Sequence, residues 1–466
     1  MRDVPVTTTF LGGPVGGSIL ISGGTLVDGT GAAARPDEAV LIRDGRVTAL
    51  GAQALADAGA GGVDERIDAT GKTVMPGLID AHTHLTFGEP TGNDELFHHR
   101  TEAYSSMLSA YNARKVLRAG VTSVLDADCL WNIGCELRDA IEAGIVEGPR
   151  MRAGGQALMT MLGGTAGRMI KDEGTTGYAT VVTGRDVMVN EIRRQIKYGV
   201  DWIKIMVTGL IPSMKGPEVK VWNLDELRTV CDTAHELNTK VVAHCRNSDS
   251  TRDAARAGVD LIYHASYLDD EAIEAVVEAG SAMCPTFTLL GNLADYGEKI
   301  GTAPELLDVF RAEIEVTAAQ LTKAHAAGVT FLTGSETGFA VTPVGEWHAR
   351  ELEMFVEYMG MSPMEAIVAA TRNGAFAMRT DDVGTLEHGK IADVLVIDGD
   401  PLADVTVLQD RTRIHEVIKD GRRIDLTTPI PEQKPRSSDQ VRFLAACPLT
   451  RSLALTEEQL ERMSHV

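Results

Sequence analysis

The chain has 466 residues, more than one small core needs and suited to one large domain with a smaller companion. Hydrophobic residues make up 44% and charged residues 24%, ordinary for a globular enzyme. The net charge of −22 argues against a nucleic-acid partner, since phosphates are met by clustered Lys and Arg. No apolar run is long enough to span a membrane, and the start, MRDVPVTTTFLGG, lacks the basic and apolar regions of a signal peptide. The six cysteines, Cys129, Cys135, Cys231, Cys245, Cys284 and Cys447, form no Cys-x-x-Cys and read as reduced thiols. A cytoplasmic protein is the expectation.

In chain order, ILISGGTLVDGTGAAARPDEAVLIRDGRVTALG comes first and reads as short strands, with SGG, DGTG and RDGR as turns. Next, GLIDAHTHLTFG (77–88) sets His82 and His84 two apart behind an apolar run. On a strand both then face one side. A repeated design follows in RAGVTSVLDAD (118–128), RAGVDLIYHAS (256–266) and AAGVTFLTGSE (326–336): a helix end, a Gly suited to a C-cap, then an apolar run. KYGVDWIKIMVTG and LNTKVVAHCRN are variants, and WNLDELRTVCDTAHEL is a helical pattern between them. Candidate strands lie near 78–85, 121–126, 150–157, 202–207, 240–244, 260–264, 282–286 and 330–335. Strands alternating with helices predict an α/β chain with a parallel (β/α)8 TIM-type barrel over 76–377. A doubly wound sheet is disfavoured because no Gly-x-Gly-x-x-Gly follows the first strand. The β-rich texture of 384–426 matches that of the chain start. Residues 1–75 and 378–430 are therefore expected to form one small β-sandwich domain built from both chain ends, with 431–466 as a C-terminal tail.

A barrel carries its active site at the C-terminal ends of its strands. There the sequence places His82 and His84 (strand 1), Lys204 (strand 4), His244 (strand 5), His264 (strand 6) and Glu336 (strand 8). Each has a plain alternative. A lone strand-end His is more often a structural residue, Lys204 can snorkel to the surface, and Glu336 can cap the next helix. Six polar groups at one end of one barrel make a metal site the economical explanation.

These residues, with VMPGLIDAHTHL, GVDWIKIMVTG, AGVDLIYHASYLDDEAI, PTFTL, AATRNGA and GTLEHGKIADVLVIDGDPLADV, resemble the metal-dependent amidohydrolase superfamily from about residue 18 to about 430. Within it they are most similar to the imidazolonepropionase-like and prolidase-like branch, which the resemblance extends toward bacterial hydrolases of phenylurea and thiocarbamate (molinate) herbicides. The resemblance implies two divalent ions, zinc first and cobalt or manganese as alternatives. His82 and His84 would hold the more buried ion and His244 and His264 the more exposed one. Lys204, carboxylated by CO2, would bridge them, and Glu336 would touch a metal and serve as general base and then acid. Two cations supply hydroxide at neutral pH, and the reaction is hydrolysis of a C–N bond in an amide, urea or carbamate. A homo-oligomer is also implied.

Three departures stand out: Gly334-Ser335-Glu336 replaces Gly-Thr-Asp, Thr165 replaces the His of Gly-Gly-His, and Tyr263 replaces the usual Glu before the strand-6 His. They suggest an apolar substrate pocket around Met161, Thr165 and Phe287, with Tyr263 nearby, although Met159, Met161 and Met283 fit plain core packing as well. A dipeptidase is the main alternative, with Arg246 gripping a carboxylate. A deaminase is disfavoured by HCRN in place of His-x-x-Glu and by Lys204, and a scaffold by the full ligand set. His98 and His99 are candidates for a lid. His235, His325 and His348 read as structural.

Overall fold

A computed structural model describes residues 17–90, 95–96, 100–164, 169–172, 175–210, 217–433, 447–456 and 459. The two β-rich ends join in one eight-stranded sheet. Its order is Arg422–Arg423, Ile414–Lys419, Val394–Ile397, Thr73–Pro76, Ser18–Leu26, Arg35–Arg43 and Arg46–Leu50, with Glu65–Asp68 parallel to Ser18–Leu26. Val394 stands opposite Pro76, so the C-terminal piece pairs antiparallel with the strand that leads into the middle of the chain. The sheet is buried on both sides, and alternation sorts the residues. Ile19, Ile21, Val40 and Ile42 pack with Val394 and Val396 on one face, while Leu20, Ala39 and Leu41 pack with Ala54 and Ala58 of the helix Gly51–Gly61 on the other. The turn RDGR works because Asp44 and Gly45 both take left-handed φ, 50° and 77°, matching the twist of the flanking strands.

In the middle, parallel strands alternate with helices. Leu78–Thr83, Val121–Asp126 and Arg150–Ala153 form one sheet. Ala157–Met159, Trp202–Met206, Lys240–Cys245, Leu261–His264 and Ala282–Cys284 run parallel in a second. Backbone contacts join the two: Asp201 N donates to Ala153 O at 2.7 Å, and Gly154 bridges Trp202. On the other side, Leu332 N donates to Met283 O at 2.8 Å and Ala81 N to Thr333 O at 2.9 Å.

Two expected strands differ in detail. The stretch 150–157 is broken at Gly154, where a Cβ would lie 1.7 Å from Ala127 O. The stretch 330–335 makes isolated bridges rather than a ladder, because Ser335 N bonds the Asp80 carboxylate and Glu336 turns to φ 52°. The helices follow their sequence signals. Leu224–Glu236 starts at a reciprocal capping box between Asn223 and Glu226, and Ser248–Ala257 ends at left-handed Gly258. Arg150 pairs with Asp393 at 3.4 Å and with Asp420, tying the parallel strands to the terminal sheet. Residues 447–456 lie against their own chain, where Trp347 Nε1 donates to Leu449 O at 2.6 Å. Among the described residues no helix is long and apolar enough to cross a membrane.

Candidate metal centre

Side chains two apart on a strand share a face, and this brings the candidates together. Trp202 and Val242 pack in a buried cluster with Tyr263. Two residues on, Lys204 and His244 project from the same faces of their strands, both buried. Simple alternation would turn His264 away from the side of Tyr263. Left-handed φ at His264 (67°) and Ala265 (49°) bends the chain so that the imidazole comes round to the others. Glu336, with φ 52°, is delivered the same way, and such strain persists only where the surroundings over-determine it.

Donor atoms of His82, His84 and Glu336 lie within 4.8 Å of one another. Ring centroids are 5.0 Å apart for His82 and His84, 5.5 Å for His82 and His264, and 4.5 Å for His244 and His264. Glu336 Oε1 is 4.0 Å from His264 Nε2. Lys204 Nζ, fully enclosed, stands 3.7 Å from Asp128 Oδ1 and 4.1 Å from the centroid of the Tyr263 ring. The six residues singled out in the sequence thus surround one buried place.

Their partners fix which nitrogens face it. His82 Nδ1 is 3.0 Å from Thr286 Oγ1, and that hydroxyl donates to Cys284 O. The hydroxyl has one proton, so it accepts from His82 Nδ1–H and leaves the lone pair on Nε2. His84 Nδ1 lies 3.4 Å from Asp128 O, which likewise frees Nε2. His244 Nε2 bonds Glu218 Oε2 at 2.7 Å, which leaves Nδ1. The Asp128 Oδ1 and His264 Nε2 atoms, both buried, have no hydrogen-bond partner among the described residues. Buried polar atoms are normally paired, so these two orphans fit a cation.

The electrostatics agree. Burial holds the His82, His84 and His264 imidazoles below their usual range, which favours the neutral ligand form. Burial also lowers the Lys204 amine against the pull of Asp128 and Glu336. Glu336 is pushed up to about 8 by burial, with Arg246 and Lys204 opposing. Burial works against the Glu218 charge too, yet His244 and Arg246 bring that carboxyl down to about 2.

The other sequence candidates lie differently. Tyr263 is fully buried, stacked on His82 with centroids 3.7 Å apart and donating its hydroxyl to Ala81 O at 2.5 Å. It backs His82 and has no surface to offer a substrate. The Arg246 guanidinium is already engaged: it donates to Glu313 Oε1 at 2.7 Å and lies 3.9 Å from Glu218, so it is no free carboxylate grip. Phe287 belongs to the packed core at 1% exposure, whereas Met161 is 57% exposed in a turn. The structure does not bring those two together, and Thr165, His98 and His99 lie outside the described residues. The aromatic rings beside the ligands are Phe87, stacked on His84 at 4.4 Å, and Phe339 at 5.6 Å.

Asp128, Glu218 and Thr286 escaped the sequence reading. Asp128 lies two residues beyond the end of Val121–Asp126, close to where the strand-end rule looks. Glu218 sits in a connecting segment and carries no such signal. His348, read as structural, bonds Asp80 Oδ2 at 2.7 Å.

Residues 73–424 match the amidohydrolase family. The chain is 30% identical over 374 residues to ochratoxinase of Aspergillus niger, covering 75% of each. Among solved structures it is similar to a Xaa-Pro dipeptidase with bound methionine (TM-score 0.75, 27% identity, 88% of this chain and 100% of that one). It is also similar to molinate hydrolase (TM-score 0.73, 25% identity, 91% and 99%). The structural neighbours are of the TIM-barrel type, and the family generally uses a divalent metal centre. The chain belongs to the amidohydrolase family and is a hydrolytic enzyme acting on C–N bonds.

Proposed function

We propose that this enzyme hydrolyses a C–N bond of a small amide, urea or thiocarbamate at a binuclear divalent centre held by His82, His84, Lys204, His244, His264 and Glu336. The observation that carries the reading is the convergence of four buried imidazoles, a buried amine and a carboxylate around the unpartnered atoms of Asp128 and His264. We infer also that the parallel strands close into one (β/α)8 barrel and that the terminal sheet is its β-sandwich companion. The hydrogen bonds linking the two parallel sheets support the closure.

Divalent ions bound there would polarise the scissile carbonyl and acidify water at neutral pH. The remaining chemistry is done by the chain. Lys204 has no surface to snorkel to, and its lowered basicity favours the neutral amine. With CO2 that amine would form an N–C bond as one C–O π bond opens and its proton is released to water, and the resulting carbamate would supply oxygen ligands for divalent ions. Glu336, beside His264 and facing the same place as His82 and His84, would take a proton and return it to the leaving nitrogen. Phe339, beside His84 and partly exposed, offers an apolar surface to the substrate, while Phe87 is buried behind His84. The engaged state of Arg246 speaks for a neutral substrate over a peptide carboxylate. The likeness to a Xaa-Pro dipeptidase keeps peptides as the second reading.

The test is a hydrolysis panel of N-aryl ureas, thiocarbamates, N-acyl amino acids and dipeptides, with protein reconstituted in zinc, cobalt or manganese. Turnover of neutral substrates that disappears on chelation is the expected result. Activity confined to dipeptides favours the second reading, and no metal-dependent turnover at all defeats both.

A further inference from the structure

His82 is held at two points, both of which trace to the start of the helix Arg350–Met359. Its backbone N–H donates to Asp80 Oδ1 at 3.0 Å. Asp80 is fixed in turn by Ser335 N and Oγ and by Nδ1 of His348, whose Nε2 accepts from Gly345 N at 3.0 Å. The ring is held separately. Thr286 takes the Nδ1 proton of His82 from a left-handed backbone, φ 59° and ψ 44°. A β-branched residue is rarely found there, and something must enforce it.

Glu351 is in position to do so. Fully buried, its carboxylate accepts from Phe287 N at 3.0 Å, Thr288 N at 2.8 Å and Thr288 Oγ1 at 2.7 Å. These are the residues that follow Thr286 and open the helix Phe287–Tyr296. No hydroxyl or amide of Thr286 itself is used, so its side chain is left free to serve His82. We propose that Glu351 is a positioning residue of the metal centre: acting through Thr286, it fixes the tautomer and orientation of His82 so that Nε2 is presented to the ion. Glu351 touches no ligand itself. The inference rests on the metal reading above. Since Asp80 and His348 clamp the His82 backbone independently, loss of the Thr286 hydroxyl frees the ring without unseating the strand.

The test compares wild type, Thr286→Val, Thr286→Ser and Glu351→Gln for Co²⁺ affinity by chelator competition, and for the visible spectrum of the Co²⁺-loaded protein. Removing such an outer partner is expected to weaken metal binding by about 10- to 100-fold. Thr286→Val and Glu351→Gln should show this loss with an altered spectrum. Thr286→Ser, which keeps the hydroxyl, should bind like wild type. Thr286→Val is nearly isosteric and isolates the Thr286 link; should Glu351→Gln fold poorly, Thr288→Val, which removes one bond to Glu351, must show a smaller loss of the same kind, and wild-type binding there overturns the role of Glu351. If wild type binds Co²⁺ and the valine and glutamine variants match it in affinity and spectrum, the positioning role is wrong and the metal reading stands. A wild-type protein that takes up no metal overturns both.

Discussion

Glu336 makes the metal-free protein sensitive to pH in a direction opposite to that of most paired carboxylates. Its carboxyl, ordinarily near 4.5, is pushed up to about 8 by burial against the pull of Arg246 and Lys204, and its Oε1 lies 4.0 Å from His264 Nε2. The folded protein therefore keeps a proton that the unfolded chain has released. This contribution to stability is fully present below about 4.5 and is lost as pH rises through about 8. At about 1.4 kcal/mol for each pH unit, the interval from 4.5 to 8 sets a ceiling of roughly 5 kcal/mol. Glutamine has the same shape and never ionises. Metal-free Glu336→Gln should thus match wild type at pH 5 and exceed it by roughly 2–4 kcal/mol at pH 8.5. Urea unfolding at the two pH values, after exhaustive chelation, measures the gap. If Glu336 is a metal ligand, loading with zinc should reverse the order, since a carboxylate holds the ion more strongly than a carboxamide. A gap that is the same at both pH values, or a wild type that is the more stable at pH 8.5 without metal, would refute the electrostatic account of Glu336.

Other substitutions probe separate parts of the molecule. Lys204→Ala should abolish turnover and lower the metal content, and bicarbonate with a short carboxylic acid should restore part of the rate; full activity in the variant would remove the bridging role. Glu218→Gln weakens the 2.7 Å bond that orients His244 and should cost about 10- to 100-fold in metal affinity, read by chelator competition. Asp393→Asn leaves Arg150 with Asp420 alone between the parallel strands and the terminal sheet, and should cost about 1–3 kcal/mol in urea unfolding. An unchanged midpoint there would mean that this network contributes nothing net.

The residues of the candidate site were legible where local periodicity carries the information. His82, His84, Lys204 and His244 follow from strand ends and a two-residue repeat, and the joining of the chain ends from matching β-rich texture. His264 was found by its strand end alone, because alternation misplaces it and only the left-handed turn corrects this. Of the residues expected around an apolar pocket, Phe287 lies in the packed core: nothing local distinguishes a core phenylalanine from one lining a cavity, and only packing separates them. The supporting groups were out of reach for a different reason. Thr286 meets His82 across 204 residues, and His348 meets Asp80 across 268. Thus the amino-acid order alone determined the α/β class and which side chains could bind a metal, because these depend on neighbours a few positions away. Which nitrogen each histidine presents, how Glu336 is turned inward and what holds them were decided only by the tertiary structure, since those hydrogen bonds exist only once distant strands and helices stand side by side.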